Sequence, residues 1–398
     1  MKIAALTTSY IRWEGDTAAG FLHNLTSGLV KAGVEISVVT PMLSPESKTH
    51  EVIDGVEINR FHYFWPTSLE GLAGGYGMPE NMKRSFLLRI QLPFLLLAFF
   101  LNGIRVAKKC DVIHTFWIPS GIVGLFIKKL MGKPVAFSPL GSGLRQMSIG
   151  RLTSFLNAVD VTFTGSGKFE KTYFPPGFEG EVNVRQAMTI INIDRDTQYP
   201  VPNEIAEQRA LGKKTIYWVA RMVPEKNPKT LIKAIPHILE KRSDVHFIMS
   251  GDGPLYEGCK ELAEETGVKD SITFTGYLKN SRVHAFLRHS DIIATTSLLE
   301  NCFSTTILEG FHLEKPFVLS DAGSTGKYFH HGTYAFLYEA GSEQELALAV
   351  LSVLDDENLR RLLESNTRDF LESHAFTKEQ TIKTVMKTYQ DLHTVAMI

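Results

Sequence analysis

Short apolar runs alternate with amphipathic stretches along most of this chain, and the alternation predicts strands and helices in turn. Residues 2–8 read as a strand, a glycine-containing loop follows over 9–20, and residues 21–32 read as a helix. Phe21, Leu22, Leu25 and Leu29 share one face of that helix, and Gly33 stops it. Further strands are predicted at 35–41, 111–117, 134–139 and 160–164, and a hairpin over 52–61 turns on Asp54 and Gly55. The pattern breaks into a polar segment around Pro200 and Pro202. It then resumes, with strands at 215–220, 245–250, 271–275, 291–296 and 316–320. Ser342 with Glu345, and Thr377 with Gln380, have the spacing of capping boxes at the starts of late helices.

Strands that alternate with helices bury both faces of a parallel sheet. The chain therefore reads as α/β, with two doubly wound domains over 1–200 and 201–375 and a ligand cleft between them. A last helix within 376–398 comes too late for the second sheet and is expected to pack back on the first domain.

Composition narrows the function. The 398 residues suffice for two cores of ordinary size. Lys plus Arg numbers 42 and Asp plus Glu 43, so no global field attracts nucleic acid, and any anion site must be local. Cys110, Cys259 and Cys302 are far apart, with no CxxC and no His/Cys cluster. That argues against a structural zinc or a disulfide framework, and it fits a reducing cytoplasm. The first apolar run is too short for a signal-peptide core. The longest, 92–101, is about half of what a bilayer span needs, so the chain is not read as transmembrane.

Candidate chemistry gathers at strand ends of the second half. In TIYWVARMVPEKNPKTLIKAI (215–235), Arg221 leaves a strand end, Lys226 sits in the loop, and Asn227-Pro228 has the form of an N-cap with Pro at N1. Two cations beside a helix N-terminus suit a diphosphate, and the other reading is two solvated bases in a loop. Gly251, Gly253 and Pro254 make a sharp turn after the next strand, where glycine permits close approach of a ligand. Gly276 closes a further strand, beside which a flat nucleobase has room to rest. In 295–321, Glu300 falls in a loop, Ser304 and Thr305 open a short helix, and Glu309 lies one turn into it. A carboxylate there accepts hydrogen bonds from sugar hydroxyls, and helix amides favour phosphate. Capping by Ser304 with Glu309 on a solvated face is the plainer reading. The apolar neighbours Ile307, Leu308 and Phe311 point instead to a buried or cleft position.

The order strand-RxxxxK-helix, GDGP, Gly276, then E…FSxxxLE and KPxVxSD resembles glycosyltransferase family 4, the retaining GT-B enzymes. SYIRWEGDTAAGF (9–21), DVIHTFWIPSG (111–121) and KPVAFSPLGSG (133–143) resemble that family's first domain, so the likeness covers nearly the whole chain. It implies a GT-B fold of two Rossmann-like domains facing a central cleft. It also implies metal-independent transfer from a nucleotide-diphospho-sugar, used as a substrate rather than a cofactor, to a glycan or lipid-linked acceptor. By the same likeness Arg221 and Lys226 hold the diphosphate and Glu309 the ribose. Ser304 and Thr305 present backbone to phosphate and sugar, and Gly20 belongs to a loop near the reacting centre.

Departures from the family pattern fall on the chemical side of this site. Leu140-Gly141 stands where relatives carry His-Gly beside the transferred sugar. His114 lies on a different strand, and it and Gly141 are the remaining first-domain candidates for touching substrate. Eight residues separate Glu300 from Glu309 where the family has seven, so either Glu300 or Asn301 takes the acidic partner's place. Ile191-Asn192 replaces the usual inter-domain Asn-Gly, and Ala220 replaces a glycine. A second reading follows from Leu140, namely a catalytically weak or inactive nucleotide-sugar-binding partner in a glycosylation complex. A GT-B-shaped sugar-nucleotide epimerase fits the Arg-Lys-Glu order less well. A nicotinamide dehydrogenase is disfavoured, because GLAGGYG (71–77) neither follows a clear strand nor opens a helix at the right spacing.

Between Glu80 and Asp111 there is no acidic residue, while Lys83, Arg84, Arg89, Arg105, Lys108 and Lys109 flank the 92–101 apolar run. Two readings stand for residues 83–109. One is an interfacial element facing anionic lipid, which makes the protein cytoplasmic and peripheral on the inner face of a membrane. The other is a long core helix, or a helix pair, kinked at Pro93 with its charged ends in water.

Overall fold

The computed structural model describes the chain apart from residues 17–18, 75–77, 141–143, 145–146, 166–182, 187–192, 194–196, 299–303, 324, 374–376 and 397–398. It divides into two compact units, Met1–Ile190 with Thr377–Ile398, and Ile191–Phe376.

The first unit holds strands β1 (Lys2–Thr7), β2 (Glu35–Pro41), β3 (His50–Ile53), β4 (Val56–Phe61), β5 (Val112–Phe116), β6 (Val135–Ser138), β7 (Val161–Thr164) and β8 (Val184–Gln186). They form one sheet in the order β3-β4-β2-β1-β5-β6-β7-β8. Only the β3–β4 pair is antiparallel, closed through Asp54 and Gly55 at φ 48° and 78°. Positive φ at both residues gives the turn a twist that matches its strands, which is why Asp-Gly marks it in sequence. Every residue of β5, β6 and β7 is buried, as a parallel sheet covered on both faces requires.

The first helix spans Gly20–Lys31 after Ala19 at φ 51°. Gly20 is thus the first helical residue rather than part of the loop, and open space surrounds the place where its Cβ would stand. The 92–101 run proves to be the middle of a continuous helix, Phe86–Ala107, with Pro93 inside. That helix is long and apolar enough to cross a bilayer, with a mean hydropathy of 1.8 over an 18-residue stretch, so the expectation of half a span is corrected. Its polar residues, Gln91 among them, interrupt the apolar run without ending the helix. Gln91 is buried and donates to the Leu69 carbonyl.

The last helix, Lys378–Ala396, belongs to the first unit, where Val385 and Tyr389 join the core beneath the sheet. Its capping box forms in both directions, with Gln380 N–H donating to Thr377 Oγ1 and Thr377 N–H to Gln380 Oε1. The Ser342 box forms by half. Ser342 accepts from Glu345 N–H, but the Glu345 carboxylate turns to Glu339 N–H.

The second unit holds β9 (Lys214–Val219), β10 (Val245–Ser250), β11 (Ile272–Gly276), β12 (Ile292–Ala294), β13 (Phe317–Ser320) and β14 (Phe336–Tyr338). All are parallel, in the order β11-β10-β9-β12-β13-β14. The order reverses between β9 and β12, and ligands of such sheets sit beyond the carboxyl ends at that switch point. β8 and β14 are absent from the sequence reading because three residues carry no measurable period.

Candidate functional site

Both halves of the donor motif leave the sheet at the β9/β12 switch point. Arg221 follows β9 and is exposed, and its guanidinium makes no ion pair among the described residues. The backbone around it is docked on the 251–253 turn. Met222 N–H donates to the Asp252 carbonyl at 2.9 Å, Leu255 N–H to the Met222 carbonyl at 3.0 Å, and Gly251 N–H to the Gly276 carbonyl at 2.8 Å. Only glycine fits at 251 and 253. Their φ values are 136° and 151°, and a Cβ would lie 1.9 Å from the Ala220 carbonyl oxygen and 2.6 Å from that of Met222. Gly251 thus does its work on the Arg221 loop itself, whatever a ligand gains from the space. Gly276, at φ 68°, ends β11 and accepts the Gly251 bond.

Lys226 closes a short 3₁₀ turn, Pro224–Lys226, and is half-buried. Its Nζ donates to Ser297 Oγ at 3.4 Å, so the loop after β9 and the loop after β12 meet at this cation. The backbone is stitched at the same place. Trp218 Nε1–H donates to Thr296 Oγ1 (2.8 Å), the Thr296 hydroxyl donates to the Lys226 carbonyl (2.7 Å), and Leu298 N–H donates to the Glu225 carbonyl (2.9 Å). Asn227 stands at the N-cap position before Pro228, but at φ 44° its side chain caps nothing and donates instead to Thr230 Oγ1. Asn tolerates this left-handed conformation better than most residues.

Ser304 is the N-cap of the Thr305–His312 helix and accepts from Ile307 N–H at 3.3 Å, while Thr305 is exposed as its first residue. Glu309 lies one turn further in, its side chain 15% exposed, with Oε1 3.3 Å from His284 Nε2. That nitrogen is buried and forms no hydrogen bond among the described residues. Fully buried Tyr217, whose hydroxyl burial pushes above the ordinary phenol range, feels the Glu309 charge as well. Arg221, Lys226, Ser304, Thr305 and Glu309 therefore border one strand-end region. Glu300, Asn301 and Gly141 lie outside the described residues.

His284, Ser297 and Thr296 escaped the sequence reading. A histidine on the helix Asn280–His289 and two hydroxyls after a short strand form no local motif. The adjacency of β9 and β12 brings the hydroxyls to Lys226, and packing of the Asn280–His289 helix on the Thr305–His312 helix brings His284 to Glu309.

In the first unit the corresponding candidates fare differently. His114 is 1% exposed in the middle of β5. Its Nδ1 meets the Tyr389 hydroxyl at 2.5 Å and its Nε2 meets Ser138 Oγ at 2.8 Å. With both nitrogens engaged and burial pushing its pKa down to about 3, it is a neutral core residue, and its candidacy as a substrate ligand is corrected. Leu140 follows β6 and packs, half-buried, against the same core cluster. The loop before Gly20 is held by Arg12, which grips Asp16 with two 2.8 Å bonds, and by Tyr10, whose hydroxyl meets His23 Nδ1 at 2.9 Å.

The family model "Glycosyl transferases group 1" matches residues 202–370. The 2-deoxystreptamine N-acetyl-D-glucosaminyltransferase of Niallia circulans is 25% identical over 158 residues, 40% of each chain. The alpha-monoglucosyldiacylglycerol synthase of Streptococcus pneumoniae is 27% identical over 257 residues, 64% of this chain and 56% of its own length. The chain thus spans two-fifths of the first relative and just over half of the second. The crystal structure of Anabaena HepE in complex with UDP matches 98% of this chain and 100% of its own, with a TM-score of 0.71 at 16% identity. At that identity the likeness is one of fold, and it is the GT-B fold of two Rossmann-like domains.

Proposed function

We propose, for a chain that through residues 202–370 belongs to the group 1 glycosyl transferases, that it moves a sugar from a nucleotide-diphospho-sugar to a glycan or lipid-linked acceptor with retention. The observation that carries this reading is the strand-end cluster: Arg221 and Lys226 leave β9 while Glu309 follows β12, and Lys226 is tied to Ser297 across the switch point.

As the donor bond breaks, charge grows on the leaving diphosphate. Arg221, with a fork of donors, and Lys226, a point charge, supply preorganised cations to that charge, and we propose that they do so without a metal. Glu309, held beside His284, accepts from the ribose hydroxyls. The diacylglycerol named in the pneumococcal relative supports the lipid-linked choice of acceptor, and the buried thiols Cys110 and Cys259 suit a cytoplasmic site of action.

The test is a thermal-shift screen against uridine and guanosine diphospho-sugars. A donor present at a hundred times its dissociation constant adds about 2.7 kcal/mol of stability. Arg221→Ala and Glu309→Ala are expected to reduce or abolish that shift. No shift of the wild type with any nucleotide sugar sinks the reading.

Leu140 favours a second reading, because an apolar side chain packed on the core cannot donate to sugar or phosphate. On that reading the protein binds donor without transferring it. Leu140→His separates the two. The missing contact corresponds to about 1–3 kcal/mol, roughly 5- to 200-fold in rate. A wild type that already transfers sugar rejects the inactive-partner reading.

A further inference from the structure

The Phe86–Ala107 helix covers one side of the first sheet against β1, β2 and β4 and packs beside the helix Ile118–Met131. Its inner stripe is Gln91, Leu95, Phe99, Gly103 and Ala107, one residue every four. The outer stripe is just as apolar. Leu87, Ile90, Phe94, Leu97 and Leu101 recur at intervals of three and four and are all exposed, Leu97 to 58%. The stripe then runs into exposed Arg105 and Lys108. The neighbouring helix adds exposed Phe126 and Leu130. Between the two helices lies a cavity of about 220 Å³ lined only by Leu96, Leu97, Phe100, Ile122, Val123 and Phe126. Phe94 packs edge-on against Phe64, and the next residue, Trp65, is 86% exposed. A soluble surface rarely gathers this many large apolar side chains in one place without a partner.

Charge identifies the partner. Over residues 81–159 there are eleven Lys and Arg against a single acid, Asp111, although the whole chain has a net charge of −1. The Asp111 carboxylate is itself occupied by the Lys2 backbone N–H at 2.8 Å. A second copy of the chain fits poorly. An isologous pairing of the helix across a two-fold axis sets the end that carries Lys83 and Arg84 against the end that carries Arg105, Lys108 and Lys109. A bilayer span fits no better, because the inner stripe is already packed on the sheet. An apolar stripe rimmed by cations, lying flat, matches the boundary between acyl chains and anionic headgroups, where exposed aromatic rings such as Trp65 also settle.

We propose that this face, the outer stripe of Phe86–Ala107 with Phe126 and Leu130, docks on an anionic bilayer surface. Leu97, Leu101 and Phe94 enter the acyl boundary, and Lys83, Arg84, Arg105, Lys108 and Lys109 meet headgroup phosphates. Docking deepens the lipid-linked acceptor reading, since it brings the first unit to where such an acceptor resides. It needs no turnover, so its failure is distinguishable from a failure of transfer.

The experiment is flotation of the full chain with phosphatidylcholine vesicles, with and without phosphatidylglycerol. The wild type is expected to float with the anionic vesicles, to be left behind with the neutral ones, and to be released by salt. Leu97→Glu with Leu101→Glu, both at exposed positions, abolishes flotation while leaving the nucleotide-sugar thermal shift unchanged. Lys108→Ala weakens binding about fivefold. Two results overturn the proposal: no flotation of a folded wild type with anionic vesicles, or flotation untouched by the Leu97/Leu101 pair. A concentration-dependent dimer that the same pair dissolves in the absence of lipid assigns the face to a second copy and overturns it too.

Discussion

The central strands of the two sheets end in opposite ways. In the first unit, the polar groups of β5 and β6 are consumed internally, His114 by Tyr389 and Ser138, and the loop after β6 opens with an apolar Leu140. In the second unit, the polar groups that leave β9 and β12 sit at or near the surface. Arg221 is exposed, Lys226 and Glu309 are half-buried, and backbone hydrogen bonds together with the Lys226–Ser297 contact hold the loops. Two doubly wound sheets thus spend similar residue types on different ends. A histidine becomes core where a distant helix brings it a partner, and Arg221 stays exposed where backbone hydrogen bonds dock its loop.

The sharpest way to break this contrast is at the backbone that holds Arg221. Gly251→Ala places a Cβ against the Ala220 carbonyl in a conformation that L residues avoid. It is expected to destabilise the second unit by about 3 kcal/mol and to weaken donor binding along with it. A variant that melts like the wild type and keeps the nucleotide-sugar shift shows that the turn does not hold the cation in place.

In the first unit, Tyr389→Phe keeps the ring and removes only the hydroxyl, leaving His114 Nδ1 buried without its partner. The expected loss is about 2 kcal/mol in urea denaturation, with donor affinity unchanged. A loss of donor affinity instead gives the His114 network a role at the site.

The smallest effect is read in the pH dependence. His114 is neutral in the fold, with its pKa pushed down to about 3 by burial, whereas the unfolded chain protonates it near the ordinary value of 6.5. Stability present above pH 6.5 is therefore lost as pH falls from there toward about 3, at up to ~1.4 kcal/mol per pH unit. His114→Phe lowers stability at neutral pH but flattens that acid slope by about one proton. An unchanged slope places the acid sensitivity elsewhere, His246 being, among the described residues, the other buried histidine whose pKa burial lowers, to about 4.

Much of this architecture was legible in the pattern of residues. The Asp54-Gly55 hairpin, the strands 35–41 and 245–250, and the order Arg221, Lys226, Gly251, Gly276, Ser304, Glu309 are local signals, and each appears where the period or motif placed it. The 92–101 run understates the Phe86–Ala107 helix, because the helix continues past the polar residues that bound the run. Gln91 can sit inside it, since its side chain reaches the Leu69 carbonyl.

What the sequence by itself determined is therefore the alternation of elements, the turns that demand glycine, and the inventory of charged groups at strand ends. These depend on residues only a few positions apart. Tertiary structure alone decided which of those groups keep access to a ligand. His114 was a candidate until Tyr389, 275 residues away, reached it. Lys226 acquired Ser297 because β9 lies beside β12, and Glu309 acquired His284 because the Asn280–His289 and Thr305–His312 helices pack together. Burial and partnership are set by chain segments that meet only on folding, and no local spacing encodes them.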